Sequence, residues 1–464
     1  MKNSDLTTTE KNPITEGVIW KQLLLFFFPI LLGTFFQQLY NTADAMIVGQ
    51  YVGKEALSAV GGTTGTLINL LVGFFVGLSS GATVIISQFY GGKHLDRLHT
   101  AVHTAIAFAI VGGAVLMVFG IVLAPWALRA MDTPEDIIDY ALIYIRVYFI
   151  GMIPNLIYNM GAGILRAIGD SKRPLYYLIV SCLTNIILDF VFVLGFRLGV
   201  LGVGLGTILS QLISATLVTL ALLRTKDVYR LELKKIWIVP KMLGRIVKIG
   251  FPAGLQSVMY SVSNIIVQVG VNRLGTDVVA AWTTYGKIDG LFWMMLGAMG
   301  IAATTFVGQN YGAKKMDRVH KGISTCMMQA AVMTILMSVI LYFSGIYIFR
   351  LFTSDPAVLE NGMKLLHFMV PAFILYIPIE ILSGSLRGAG DCWIPMIITC
   401  VGVCVLRIIW IIFFAPFHAE IRWIAFCYPL TWLVTSIAFL FYYYRFSILR
   451  KPLLSHRPKK RRTR

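Results

Sequence analysis

The sequence predicts an all-α integral membrane protein with twelve transmembrane helices, arranged as two pseudo-symmetric six-helix lobes. The chain is 57% hydrophobic and 13% charged, with a mean hydropathy of +0.76, whereas a soluble domain carries about 25% charged residues. Many apolar runs are long enough to cross a bilayer, which takes roughly 20 helical residues. Two pairs of polar segments also repeat at one fixed offset. These three observations exclude a soluble globular domain.

The apolar runs account for the twelve helices in order. Seven runs contain no Asp, Glu, Lys or Arg: 22–43, 56–92, 98–128, 198–223, 249–272, 322–349 and 423–444. Five further runs hold one or a few charges: about 137–160, 173–195, 281–306, 357–383 and 393–416. The runs are continuous rather than alternating, so they indicate helices and not a β-barrel.

The repeated segments show that the two halves share an ancestor. Residues 88–99 read QFYGGKHLDRLH and residues 309–320 read QNYGAKKMDRVH, with seven of twelve positions identical. Residues 163–174 (GILRAIGDSKRP) and 384–395 (GSLRGAGDCWIP) share six of twelve, and both pairs lie 221 residues apart. Duplicated helical halves are typical of secondary transporters, which bind substrate where the halves meet.

The repeat and the basic residues predict the domain organisation and orientation. We expect a tail (1–20), a first lobe with helices 1–6 (21–223), a linker (224–245), a second lobe with helices 7–12 (246–446) and a basic tail (447–464). The tails and the loops on one side hold 30 of the 40 Lys and Arg residues, and the opposite loops hold six. This bias predicts a multi-pass protein of the plasma (inner) membrane with both termini in the cytoplasm. The C-terminal KKRRTR is expected to contact anionic membrane lipid and not nucleic acid.

The sequence carries no signature of enzyme chemistry. It has no GxxxxGK[ST] phosphate loop and no HExxH, so neither direct ATP use nor zinc-dependent hydrolysis is indicated. The six cysteines form no CxxC motif. We therefore expect a protein that is not an enzyme and has no cofactor.

Several motifs together resemble the MATE (multidrug and toxic compound extrusion) transporters, near their bacterial NorM and DinF branches. They are QQLYNTADAMIVGQYVG at 37–53, the paired Q-x-Y-G-x-K-x-x-D-R and L-R-x-x-G-D-x-x-x-P loops, and NIILD at 185–189. The resemblance covers roughly residues 15–446. It implies an antiporter that exports organic cations or other toxic compounds in exchange for H⁺ or Na⁺, from a cavity between the lobes. We also expect the protein to be a monomer.

Two other functions stay open. One is a lipid or lipid-linked oligosaccharide flippase of the same superfamily, whose cavity should hold several basic residues for a pyrophosphate. The other is a membrane enzyme acting on lipid, which would need a catalytic constellation at one interface.

Two carboxylates within predicted helices are the strongest site candidates, because a carboxylate at bilayer depth is costly unless paired, protonated or hydrated. Asp44 in helix 1 and Asp189 in helix 5 should lie at similar depth. Asn185 precedes Asp189 by four residues and shares its helix face. Two adjacent carboxylates hold a proton tightly, and with Asn and Thr oxygens they would also suit Na⁺. The resemblance places the cation-coupling site at Asp44, Asn185, Asp189 and Thr207, and these four are also the candidate Na⁺ ligands.

Further polar and aromatic side chains are candidates for substrate binding. Gln37 and Tyr40 lie on one helical stripe with Asp44, and aromatic faces attract organic cations. In the second half, Tyr285 and Asp289 are the corresponding candidates. Asp289 is expected either to face the cavity or to pair with Arg407 or Lys287.

The second half otherwise departs from the first. Helix 7 has no acid that matches Asp44, and the face that matches Asn185 and Asp189 carries Leu406 and Trp410, with Arg407 alongside. The repeated loops mix acids, bases and glycines, and we expect them to fasten helix pairs into rigid bodies rather than to touch substrate. Glu380 is expected to be partly solvated near a helix end.

Overall fold

The computed structural model describes residues 12–131, 133–417 and 420–450, and within these ranges the chain is helical with no strand. Residues 1–11 and 451–464 of the two predicted tails lie outside the described residues. The helices before the linker are α1 (Pro13–Glu16), α2 (Ile19–Tyr51), α3 (Lys54–Gly61), α4 (Thr63–Gly91), α5 (Leu95–Ala130), α6 (Glu135–Ile150), α7 (Met152–Ala167), α8 (Lys172–Phe190) and α9 (Gly199–Arg224). Those after it are α10 (Pro240–Asn272), α11 (Thr276–Gly312), α12 (Met316–Arg350), α13 (Pro356–Met369), α14 (Ile377–Ala389), α15 (Trp393–Thr399), α16 (Leu406–Ile409), α17 (Ile421–Ala425) and α18 (Cys427–Arg445).

These elements form the predicted twelve spans. Ten spans of the described chain are long and apolar enough to cross a membrane by length and composition, and the bent pair α6–α7 makes an eleventh. The twelfth is α10, which is 33 residues long but less apolar, because Gln256, Ser257 and Asn264 on this helix line internal cavities. The predicted helix over 137–160 is not continuous: the chain bends by 50° between α6 and α7. Pro154 lies in the first turn of α7. Because proline has no N–H, it cannot donate the backbone hydrogen bond that would continue α6.

The two halves meet along a seam formed by α4 and α10. A Cβ added at Gly81 would lie 2.6 Å from the backbone nitrogen of Gly250, and one added at Gly77 would lie 2.6 Å from that of Gly254. Small residues at these positions let the two backbones approach closely, as is usual for helix pairs in membranes. The seam continues to the end of the bundle that carries the four repeated segments, which we call the loop end.

The opposite end, here called the far end, is less tightly packed. Cβ atoms added at Gly286, Gly290 and Gly297 of α11 would meet nothing within 4 Å. One added at Gly300, nearer the loop end, would lie 2.2 Å from Glu380 Oε1. The lobes are in close contact at the loop end, where a Cβ added at Gly91 of the first lobe would lie 2.0 Å from the carbonyl oxygen of Gln309 of the second.

Helix α2 belongs to both halves. Near its start, Leu23 and Phe26 pack into the core of the second half, whereas Ile47 and Val48 near its end pack into the core of the first. The helix continues through Pro29 without a break. A change in the shape of α2 would therefore move the two cores relative to each other.

The described part of the predicted N-terminal tail also binds the second half. Arg318 donates from Nη2 to the carbonyl oxygens of Ile14 (3.0 Å) and Gly17 (2.8 Å). Asn12 donates from Nδ2 to Gln309 Oε1 at 3.0 Å. These bonds fix the start of α2 to the loop end of the second lobe, so Arg318 has the fastening role that the sequence suggested for its loop.

Candidate cation and substrate sites

The structure brings Asp44, Asn185, Asp189 and Thr207 together inside the first lobe. Asp44 lies on α2, Asn185 and Asp189 one turn apart on α8, and Thr207 on α9; these helices pack against one another and all four side chains are buried. Thr207 Oγ1 lies 3.3 Å from Asp44 Oδ2 and 3.0 Å from the carbonyl oxygen of Val203 on its own helix, so its single proton is shared between these two acceptors. The Asp44 carboxylate also lies beside the side chains of Asp189 and Asn185.

This cluster contains an unusual density of polar atoms without a partner. Asp44 Oδ1, both side-chain polar atoms of Asn185 and both carboxylate oxygens of Asp189 are buried without a hydrogen bond to any described residue. Buried polar atoms are otherwise nearly always bonded. Two facing carboxylates cannot bond each other unless they share a proton or a cation. The donor set, four carboxylate oxygens with an amide and a hydroxyl oxygen, suits a proton or a hard cation such as Na⁺.

Local backbone features hold the cluster in place. A Cβ at Gly206 would lie 2.2 Å from Asp189 Oδ1, so α9 can approach the carboxylate only because this residue has no side chain. Immediately after α8, Val191–Gly195 form a π-helical turn. Such turns are frequent at functional sites.

Sequence reasoning missed the tyrosines that surround Asp44. Tyr144 and Tyr148 on α6 lie near Asp44, with their ring centroids 6.1 Å apart. Tyr40, one of the predicted substrate-binding residues, joins this group and lies beside Gln37. Gln37 itself is exposed. The spacing of Tyr144 and Tyr148, four residues apart on one helix, was the available signal.

The other predicted substrate-binding residues, Tyr285 and Asp289, line a cavity of about 440 Å³ in the second lobe. Tyr285 donates from its hydroxyl to Asp289 Oδ1 at 3.2 Å, and Trp293 donates from Nε1 to Oδ2 at 2.6 Å. Among the ion pairs of the described residues, none within 4.0 Å joins Asp289 to Arg407 or Lys287. Asp289 therefore faces the cavity.

Arg407 lines the same cavity. It is 2% exposed, donates from Nη1 to Asn264 Oδ1 at 3.1 Å, and lies over the Tyr428 ring with Cζ 4.1 Å from the centroid. Its Nε is buried without a hydrogen bond to any described residue.

A second cavity, of about 300 Å³, lies between the lobes near the loop end and is lined by Arg166, Arg387 and Glu380. The two arginines occupy equivalent positions of the repeated loops and face this cavity instead of pairing with the loop acids. Asp170 pairs with Arg173 of its own loop at 3.0 Å, and Asp391 accepts a 2.5 Å bond from the Tyr442 hydroxyl of α18. The acids thus fasten local structure, while the arginines line the space between the lobes.

The comparisons with known proteins agree with this architecture. The MatE family model matches residues 29–191 and again 252–413, so each lobe matches once. The chain is 30% identical to the probable multidrug resistance protein YoeA of Bacillus subtilis (strain 168) over 82% of this chain and 84% of that protein. It is 28% identical to the probable multidrug resistance protein YpnP of the same strain, over 93% and 96%. A solved multidrug resistance MATE family transporter of the MOP superfamily, in an outward-facing conformation, superimposes with a TM-score of 0.89 at 21% identity, over 96% of this chain and 100% of that one.

A duplicated bundle of membrane-spanning helices, with buried carboxylates in one lobe, defines the chain as a membrane transporter. It belongs to the MatE family of multidrug and toxic compound extrusion transporters, as its motifs predicted.

Proposed function

We propose that the protein is a secondary antiporter that exports organic cations in exchange for H⁺ or Na⁺ by alternating access. The observation that carries this proposal is the buried Asp44–Asp189 pair, in which three of the four carboxylate oxygens have no hydrogen-bond partner among the described residues. A charge at this depth is costly unless it is neutralised. A site with two carboxylates is therefore stable with a cation bound and unstable without one.

The coupling follows from that instability. In the open state, a proton or Na⁺ from outside binds Asp44 and Asp189 and removes their mutual repulsion. Because α2 packs into both cores, a rearrangement around Asp44 is transmitted to the lobe interface. Substrate then leaves and the loop end opens toward the cytoplasm, in keeping with the positive-inside orientation. A monomer in the plasma membrane suffices for this cycle.

The substrate class is supported by the surroundings of both carboxylate sites. Tyr40 and Tyr144 border Asp44 in the first lobe, and Tyr285 and Trp293 border Asp289 in the second. Aromatic faces with a nearby carboxylate attract flat organic cations. The relatives named multidrug resistance proteins are consistent with export of such compounds.

Efflux of a fluorescent organic cation from proteoliposomes tests the proposal. Wild type, Asp44→Asn and Asp189→Asn would each be driven by an imposed proton gradient or an imposed Na⁺ gradient. Asp139→Asn, at an exposed acid of α6, is the matched control. Export by wild type and the control but not by the two site variants supports the proposal, and the effective gradient identifies the ion. Equal export by all four proteins contradicts it.

One observation favours a second candidate, a lipid or lipid-linked oligosaccharide flippase. Arg166 and Arg387 line the cavity between the lobes, and paired arginines bind phosphate groups well. Glu380 in the same wall offsets one of these charges. Scrambling of a fluorescent anionic phospholipid in proteoliposomes tests this function. Scrambling by wild type that Arg166→Gln and Arg387→Gln abolish would favour the flippase, whereas no scrambling favours the antiporter.

A further inference from the structure

The cavity of the second lobe contains a basic counterpart of the acidic site in the first lobe. With the 221-residue offset of the repeat, Asp44 corresponds to Ile265 and Asn185 to Leu406. Asn264 immediately precedes the first of these positions and Arg407 immediately follows the second. These two side chains are hydrogen-bonded across α10 and α16 at 3.1 Å. A guanidinium therefore lies next to the positions of the second lobe that correspond to the acidic site of the first.

We propose that Arg407 is a binding site for a carboxylate, and that this cavity takes aromatic compounds carrying both a carboxylate and a cationic group. The inference rests on the proposed export of small molecules and names a substrate class for the second lobe. A guanidinium binds a carboxylate through parallel hydrogen bonds. The cavity volume of about 440 Å³ lies in the range of small-molecule sites.

Both charges of the cavity are held by neutral groups and not by each other. The oxygens of Asp289 are bonded by Tyr285 and Trp293, and Arg407 is held by Asn264 and the Tyr428 ring. A buried guanidinium that retains an unpartnered Nε is costly unless an anion completes it.

The separation of the charges favours a zwitterion. Asp289 and Arg407 share the cavity wall but do not form an ion pair within 4.0 Å, since none joins them among the described residues. A simple organic cation would meet the carboxylate of Asp289 but would also be repelled by Arg407. A compound with both charges would neutralise both groups at once.

Two dyes that differ only in one carboxylate provide the test. Rhodamine B carries a cationic ring system and a free carboxylate, and its ethyl ester keeps the cation without the carboxylate. Their binding to purified protein in detergent would be followed by fluorescence anisotropy, which needs no ion gradient. Arg407→Gln should weaken rhodamine B binding about tenfold or more, the usual effect of losing a charge-assisted pair. It should leave binding of the ester unchanged or tighten it, because a repelling charge is removed.

Three further variants separate recognition from a structural effect. Asp289→Asn should weaken the binding of both dyes to the same extent, since both carry the cationic ring system. Asn264→Ala, at an exposed position, should weaken the binding of rhodamine B alone by about threefold, because the bond that orients Arg407 is lost. This variant replaces Arg407→Gln in the test if Arg407→Gln does not fold. Arg146→Gln, the same substitution at an exposed arginine of the first lobe, should change neither dye.

Each outcome either supports or overturns the carboxylate site. Selective loss of rhodamine B in Arg407→Gln or Asn264→Ala supports the carboxylate site. Equal weakening of both dyes, or no weakening of either, overturns it. Wild type that binds the ester but not rhodamine B also overturns the inference and leaves the proposed cation export standing. If the wild type binds neither dye, both the carboxylate site and the proposed cation export are contradicted.

Discussion

Gln88 and Gln309 lie 221 residues apart, and each donates a hydrogen bond to a backbone carbonyl of the opposite lobe. Gln88 Nε2 lies 2.8 Å from the carbonyl oxygen of Gly388, and Gln309 Nε2 lies 2.7 Å from that of Ala167. The two acceptors are also 221 residues apart. The closure of the loop end therefore follows the same two-fold relationship as the repeat. We refer to these two bonds as the latch.

The first prediction concerns the latch. Gln88→Ala and Gln309→Ala should each remove one cross-lobe bond worth about 1 kcal/mol, and the double variant should shift the equilibrium toward an open loop end by roughly 30-fold. Spin labels at the exposed Arg97 and Lys321, in a cysteine-free background, would report the distance between the lobes by pulsed electron resonance. Gln50→Ala, at an exposed site of the far end, is the control. An unchanged distance distribution in the double variant would show that the latch does not hold this end closed.

The second prediction concerns the glycine behind Asp189. Gly206→Ala would place a Cβ 2.2 Å from Asp189 Oδ1, far inside van der Waals contact. The carboxylate must move away, so antiport should fall as far as in Asp189→Asn although no charge has changed. Gly195→Ala should retain activity, because nothing lies within 4 Å of its Cβ position. Full antiport in Gly206→Ala, measured beside this control in proteoliposomes, would mean that the position of the carboxylate does not matter.

The third prediction tests the hydroxyl at the cation-coupling site. Thr207→Val keeps the shape of the side chain but removes the donor to Asp44 Oδ2. Loss of about 1 kcal/mol should raise the cation concentration for half-maximal antiport roughly fivefold. Thr216→Val, which removes an exposed hydroxyl bonded to Leu212 on the same helix, should have no effect. Identical titration curves for the two variants would exclude Thr207 from the site.

The fourth prediction concerns the linker between the lobes. Glu232 accepts a 2.9 Å bond from Lys235 and lies 3.2 Å from His99 of α5. The bond from Lys235, together with His99, lowers the pKa of Glu232 below its usual value of 4.5. A lowered pKa means that the contact stabilises the linker above pH 4.5 and is lost as the pH falls through the lowered value.

A spin label at the exposed Lys234 would measure this attachment. Its mobility should rise in wild type as the pH is brought well below 4.5, and should be high at every pH in Glu232→Gln. Glu360→Gln, which removes an exposed glutamate paired with Lys364 in α13, should behave as wild type. A label equally immobile in Glu232→Gln and wild type at neutral pH would contradict the attachment.

Much of the fold could be predicted because each span is an apolar run and the repeat divides the chain. The break between α6 and α7 escaped prediction because the run over 137–160 stays apolar across Gly151 and Pro154, so hydropathy alone does not divide it. The π-helical turns on either side of α16, Cys400–Val405 and Trp410–Phe414, also left no signature. They depend on how a helix packs against its neighbours.

Part of the candidate site could also be predicted from the sequence. Asp44 and Asp189 stand out because acids are rare in apolar helices, and four-residue spacing places Asn185 with Asp189. Tyr144 and Tyr148 were missed because only the packing of α6 onto the first lobe brings them to Asp44. The cavity that Arg407 shares with Asp289 likewise joins helices distant in sequence.

The central claim is that the Asp44–Asp189 pair exchanges a cation for substrate. The most direct test loads proteoliposomes with a fluorescent organic cation and follows, during dye efflux, both internal pH and uptake of radioactive Na⁺. Wild type should take up one of these ions in proportion to the dye released, and Asp44→Asn and Asp189→Asn should take up neither. Dye release by wild type without movement of either ion, or ion uptake that persists in both variants, would contradict the account.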